Sequence, residues 1–317
     1  MRKLIGSPNA IGGLEFAEAQ IPKPLPNECL VRVTTFSMNR GEIIFAQRNE
    51  YAGKSIGWDV AGTIEETAID GSGPRVGTRV VGFCTRMDGW AEYVAISSNF
   101  LAPIPHSVSD NVAATLPVAA LTALHCLEKG TRLLGSKVLC TGATGGVGLF
   151  AIQLAKLMGA EAIAQVRKPE QVDFVSSFGA DNVVITSNGE GAKQFAPYRL
   201  IVDGVGGELL GNLTKFVVKG GTIVTYGSTG GDETTFSTSS MYMNGGQHTL
   251  YGLTLYTEVE FETASSGLTR LLKLVDQGKL KTHIGKAGTW EEAGKIATEL
   301  LERKFTGKAV IKVLDSK

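Results

Sequence analysis

Cysteine and histidine are scarce and scattered in this chain. Cys29, Cys84, Cys126 and Cys140 contain no C-x-x-C pair, so neither a disulfide framework nor a zinc knuckle can be read from them. Cys140 lies in an apolar run and reads as a small core residue. His106, His125, His248 and His283 stand just as far apart, and the expected metal set is none. Long hydrophobic runs are also missing. The richest, residues 112–124, contains Pro117 and is too short to cross a bilayer. The basic start Met1-Arg2-Lys3 meets Gly6, Ser7, Pro8 and Asn9 before any apolar stretch that could serve as a signal peptide. A cytoplasmic protein without membrane contact is expected. An excess of one charge is absent too: 31 Lys and Arg balance 31 Asp and Glu. That balance excludes the basic surface needed for nucleic acid or anionic membranes. Internal repeats and low-complexity segments are not found.

What remains is an ordinary globular composition, 43% hydrophobic and 20% charged over 317 residues, long enough for two domains. Residues 1–112 carry short strand-like runs, among them Cys29 to Phe36, Arg79 to Phe83 and Glu92 to Ile96. Gly, Pro, Asn and Asp separate these runs, which predicts a compact β-barrel-like module. Residues 113–254 alternate strand and helix, the pattern of a doubly wound α/β sheet. Its strands are predicted at Val138 to Thr141, Ala162 to Val166, Asn182 to Ile185, Leu200 to Asp203, Thr222 to Tyr226 and Thr249 to Leu253. A crossover helix is expected over Leu209 to Val218. The tail, 255–317, reads as helical until a last strand, Ala309 to Leu314. Leu268, Leu271, Leu272 and Val275 mark one helix, and Thr289 with Glu292 forms a capping-box start for another.

The chemistry-bearing stretch is Gly142-Ala143-Thr144-Gly145-Gly146-Val147-Gly148. It follows an apolar strand and precedes apolar positions at helical spacing, Val147, Phe150, Ala151, Leu154 and Leu157, ended by Gly159. Gly145 and Gly146 leave room for a pyrophosphate to reach backbone N–H groups, Gly148 allows close helix–strand packing, and the helix N-terminus attracts the anion. The strand–turn–helix context predicts a dinucleotide site, with a merely structural glycine turn as the alternative. An NAD site usually ends its second strand with Asp or Glu, to hold the ribose 2′-hydroxyl. Here Val166 is followed by Arg167 and Lys168, which suit a 2′-phosphate, so the expected cofactor is NADPH.

Several further strings accompany that turn: Gly57-Trp58-Asp59-Val60-Ala61-Gly62, Val76-Gly77-Thr78-Arg79-Val80, Trp90-Ala91-Glu92-Tyr93-Val94, Thr122-Ala123 and Gly307-Lys308-Ala309-Val310. In this order they resemble the medium-chain dehydrogenase/reductase superfamily over essentially the whole chain. The resemblance implies a GroES-like β-barrel substrate domain (1–112 and 255–317) plus a Rossmann doubly wound parallel sheet (113–254), with the nicotinamide in the cleft between them. The G-H-E metal motif of its zinc alcohol dehydrogenases corresponds here to Gly57-Trp58-Asp59, and their first cysteine ligand to Asn39. Their four-cysteine structural lobe has only Cys84. The chain therefore resembles the zinc-free quinone oxidoreductase branch, which typically uses NADPH.

By that resemblance Asn39 lies at the nicotinamide carboxamide or substrate oxygen, and Tyr51 is a candidate donor on a mobile loop. Ile43-Ile44-Phe45 replaces a tyrosine-bearing stretch and implies a more apolar pocket. Thr122 falls near the nicotinamide ribose. Gly204, Val205, Tyr226, Gly227, Ser228 and Leu253 fall at strand ends along the cofactor's path, Thr186 after the third strand, and Arg303 near the adenosine phosphate. The sixth strand resembles a dimer-forming edge, so a homodimer is expected. The expected activity is hydride transfer from NADPH to a small-molecule quinone. Reduction of the C=C bond of an enone or enoyl thioester, and a nicotinamide-binding redox sensor, stay open beside it.

Overall fold

The computed structural model describes residues 1–243 and 245–313. The chain divides into two compact units, Met1–Leu121 with Val259 onward, and Thr122–Glu258. The first division falls inside the continuous helix Pro117–Glu128, later than the composition change at residue 112.

In the first unit, the Glu28–Met38 strand is the spine of a seven-stranded sheet. It pairs antiparallel with Asp59–Glu66, with Tyr93–Ser97 near its start and with Lys308–Lys312 near its end. Almost every residue of the spine is buried on both faces, so its β-branched and aromatic residues form core rather than an amphipathic strand. Val31, Val33 and Phe36 are fully buried, and each such side chain stabilises by roughly 1.5–3 kcal/mol. Phe36 stacks on Trp90 with ring centroids 5.0 Å apart.

The closing strand begins one residue before its predicted start and is described to Lys312, so Leu314 lies outside the described residues. A further strand corrects the all-helical reading of the tail: Ile284–Thr289 pairs parallel with Lys308–Lys312. Gly285 and Gly288 hide it in the sequence. Each is glycine because a Cβ would meet the Thr306 carbonyl oxygen at 1.9 Å or the Ile296 side chain at 2.3 Å. Thr289 then caps a short 3-10 turn, Trp290–Glu292, through its capping box, and the Ala293–Leu301 helix follows.

The second unit is a six-stranded parallel sheet. Across it stand Asn182–Ile185, Glu161–Val166, Lys137–Cys140, Tyr198–Asp203, Val217–Thr225 and Thr249–Gly252. The order reverses between Lys137–Cys140 and Tyr198–Asp203, which puts the ligand crevice of such sheets outside the carboxyl ends of those two strands. The Gly146–Leu157 helix follows the first of them and buries Phe150, Ala151 and Leu154, while Leu157 is left half-exposed in the last turn. The crossover helix is shorter than predicted, Gly207–Leu213, because Val217 and Val218 join the next strand. Thr249–Gly252 is an edge strand.

Candidate active site

At the reversal point the glycine turn is shaped by its neighbours. Gly142 has φ +56°, a conformation that favours glycine. Its N–H donates to Oε1 of buried Gln165 at 2.9 Å, and the Gln165 amide donates to the Thr186 carbonyl at 2.6 Å. Gln165 thus ties the turn to the end of the third strand. Gly145 caps the helix without a side chain, leaving the first-turn N–H groups of Gly146, Val147 and Gly148 without a side-chain acceptor. Those donors form an anion site on a helix of full length. A Cβ at Gly148 would lie 2.7 Å from both the Ala143 Cα and the Gly142 carbonyl oxygen, so this glycine sets the close approach of helix to strand. A pyrophosphate fits the cradle.

Around it, Arg167 and Lys168 are exposed directly after the second strand, with their backbone N–H groups held by the Gln171 side chain at 3.1 and 3.2 Å. Thr186 does not face outward with them. Its buried hydroxyl donates to Asn188 and accepts from the Gly189 N–H. The Tyr226 phenol lies against Gly204, where a Cβ would be 2.4 Å from its oxygen. Burial holds that phenol well above its usual pKa. Ser228 donates to Asp232, a Cβ at Gly227 would lie 3.2 Å from the Gly204 carbonyl oxygen, and Leu253 is buried with its N–H on the Thr225 carbonyl. Thr122 is buried in its helix, as is Ala143 in the turn, and Val205 is half-buried. The strand ends therefore bring Gly142, Gly204, Val205, Tyr226, Gly227 and Leu253 to one edge of the sheet.

In the first unit, Asn39 is the hub of a buried polar cluster. Its Nδ2 donates to Asp59 Oδ2 at 2.7 Å and to Glu42 Oε2 at 3.1 Å, and its Oδ1 accepts from Lys308 Nζ at 2.5 Å. Lys308 also donates to the Met38 carbonyl and to Asp59 Oδ2, both at 3.0 Å. Asp59 further accepts from Ser37 at 2.6 Å and from the Val118 N–H at 2.8 Å. Glu42 accepts the backbone N–H groups of Asn39 and Trp58. Burial first, and then the Asp59 carboxylate, push the Glu42 carboxyl up to about 8 against the pull of Lys308. Both Nδ2 protons of Asn39 are engaged, so this side chain positions its surroundings rather than offering a free donor.

Tyr51 lies on the segment that follows the Arg40–Ala46 helix. It ends a 3-10 turn, Asn49–Tyr51, and its ring stacks on Phe45 at 5.1 Å with an interplanar angle of 11°. Phe45 in turn meets Trp58 edge-on at 6.0 Å. Ile43 points into the core, fully buried, so Phe45 and Trp58 rather than Ile43 make the half-buried apolar wall. Arg303 is exposed after the Ala293–Leu301 helix, at φ +59°.

Residues 25–106 match the alcohol dehydrogenase GroES-like domain, and residues 146–270 match the zinc-binding dehydrogenase family. The chain belongs to the medium-chain dehydrogenase/reductase superfamily. Its place there is the quinone oxidoreductase branch. It is 27% identical to quinone oxidoreductase-like protein 2 of Bos taurus, over 93% of this chain and 88% of that one. It is 26% identical to the acryloyl-coenzyme A reductase of Sulfurisphaera tokodaii, over 98% and 99%. The solved quinone oxidoreductase from Coxiella burnetii superposes with a TM-score of 0.84 at 25% identity, covering 99% of each chain. The superfamily is one of oxidoreductases, and its fold serves a nicotinamide cofactor.

Zinc, which the second family's description implies, does not fit the Asn39 cluster. An amide and an indole stand at the places of two ligands, and Asp59 and Glu42 already hold N–H groups. The Lys308 ammonium sits within bonding distance of Asp59 and Asn39, where it would repel a dication. In the sequence, Lys308 and Asp59 stand out only as members of longer strings, and Glu42 and Gln165 do not stand out by themselves. A buried lysine motif and an Asn-x-x-Glu capping box at Asn39 were the signals available.

Proposed function

We propose that the protein is a zinc-independent reductase that transfers hydride from NADPH to quinones. The observation that carries this is Lys308, a buried ammonium fixed in the cluster that would have to hold a Lewis acid for alcohol oxidation. Quinones are already electrophilic. Addition of one hydride and one solvent proton gives the hydroquinone, and the site needs only to position the acceptor and polarise its oxygen.

When bound, the nicotinamide supplies the hydride. The first turn of the Gly146–Leu157 helix holds the pyrophosphate, and Arg167 and Lys168 hold the 2′-phosphate. Thr122, Gly204, Val205, Tyr226, Gly227, Ser228 and Leu253 line the rest of its path. Arg303 and Thr186 contribute less, the latter through its backbone held by Gln165. Of the two acceptor-facing residues, Asn39 positions, and Tyr51 donates: its hydroxyl makes no hydrogen bond among the described residues. The Thr249–Gly252 edge pairs two copies into a homodimer.

A second reading, reduction of an activated C=C bond, is favoured by the likeness to the acryloyl-coenzyme A reductase and by the Phe45–Trp58 wall. Oxidation of NADPH and NADH is to be followed against a benzoquinone, a naphthoquinone, an enone and an enoyl thioester. Fast NADPH turnover confined to the quinones is the expected result. A saturated carbonyl product would move the protein to the second reading, and tight NADPH binding without turnover would point to a sensor.

A further inference from the structure

Asp203 ends the Tyr198–Asp203 strand and is fully buried, yet among the described residues no lysine or arginine bonds to it. Its partners come from the turn that follows it and from the carboxyl ends of the two neighbouring strands. Oδ1 accepts the Thr141 hydroxyl at 2.7 Å and the Val205 N–H at 3.2 Å. Oδ2 accepts the Gly206 N–H at 3.0 Å and, more weakly, the Thr225 hydroxyl at 3.4 Å. The Thr141 hydroxyl, held by this bond, accepts the Gly204 N–H at 3.1 Å. Beyond the carboxylate, the turn it fixes carries the next loop: the Val205 carbonyl accepts the Gly230 N–H at 2.7 Å.

We propose that Asp203 is the positioning residue of the cofactor cradle, one carboxylate that sets the ends of the Lys137–Cys140, Tyr198–Asp203 and Val217–Thr225 strands together. The inference rests on the nicotinamide-binding reading of this unit. Its chemistry is specific to an ionised carboxylate. The N–H groups of Val205 and Gly206 approach different oxygens, so both oxygens must be acceptors. An asparagine offers one acceptor and one NH₂ group, and whichever way it turns, a backbone N–H faces a donor. Desolvation raises the pKa of Asp203 against these bonds, so burying the charge costs stability that the turn's geometry must justify. Gly204 and Val205 are the residues released if the bracket fails.

The test uses the full-length protein and its Asp203→Asn variant, with cofactor affinity, steady-state kinetics and amide exchange measured on both. Wild type that binds neither NADPH nor NADH would overturn the nicotinamide reading and, with it, this inference. If wild type binds, the variant is expected to lose about tenfold in affinity for both cofactors, the equivalent of one charge-assisted hydrogen bond. KM for the cofactor should rise in step, with kcat at saturating cofactor within about twofold. The Val205 and Gly206 amides should exchange faster while those of the sheet interior do not. An unchanged affinity would overturn the inference. So would a loss of kcat without a change in cofactor KM. Should Asp203→Asn fail to fold, Thr141→Val and Thr225→Val are read by the same criteria. The larger loss is expected for Thr141→Val, and no loss in either variant would overturn the inference.

Discussion

Around Asn39, every polar side chain is already bonded to another: Asn39 to Asp59, Glu42 and Lys308, and Asp59 to Ser37 besides. At the Gly145–Gly148 turn of the other unit, the polar groups are backbone N–H donors with no side-chain cap, and Val147 carries the one side chain, an apolar one. The first arrangement is closed and charged, the second open and neutral. Under the function proposed above, the difference separates two ways of serving a hydride transfer. An open cradle of N–H groups takes up a ligand's phosphates, whereas a closed cluster holds a surface in one shape and keeps a cation where a metal would otherwise be bound.

The comparison breaks most sharply at Lys308. Lys308→Met leaves the buried Asp59 carboxylate without its counter-cation, and removing one partner of a buried ion pair costs about 3–5 kcal/mol. Denaturant unfolding should show a loss of that order, with Lys308→Arg recovering part of it. An open, solvated cluster would instead show a change within about 1 kcal/mol.

Next in size is the pH response of the same cluster. The Glu42 carboxyl is raised from an ordinary 4.5 to about 8 in the folded protein, so the folded state binds more protons than the unfolded chain between those values. Its contribution to stability is full below 4.5 and is lost as pH rises through about 8. Unfolding measured from pH 5 to 9 should show stability falling, and Glu42→Gln should flatten that slope.

The cradle's counterpart is Gly148→Ala. The added methyl meets backbone at 2.7 Å, and such overpacking costs about 1–3 kcal/mol. Calorimetric titration with NADPH should show weakened binding as the helix is pushed from the strand. The smallest effect is expected at the exposed pair: neutralising Arg167 and Lys168 together should weaken NADPH by on the order of 1–3 kcal/mol and leave NADH nearly unchanged. Equal losses for the two cofactors would remove the 2′-phosphate assignment.

The two regions were also unequally visible in the sequence. The cradle lies within a few consecutive residues, so spacing alone revealed the strand, the turn, the helix and the reason for Gly148. The doubly wound order followed from the same alternation. The closed cluster joins Ser37, Asn39 and Glu42 to Asp59 and to Lys308, whose bond to Asn39 crosses 269 positions, and no local pattern encodes that meeting. Nothing in the neighbours of Tyr51 announces its stacking on Phe45. The inward turn of the Thr186 hydroxyl likewise depends on Asn188 and Gly189. The Ile284–Thr289 strand escaped because its two glycines answer to what packs against them, the Thr306 carbonyl at Gly285 and the Ile296 side chain at Gly288, not to a strand's usual β-branched pattern.

The central claim is tested most directly by measuring NADPH-dependent quinone reduction and metal content on one sample, before and after dialysis against a chelator. Full turnover without stoichiometric zinc is the predicted result. Stoichiometric zinc whose removal abolishes turnover, and whose return restores it, would contradict a site in which Lys308 supplies the fixed cation.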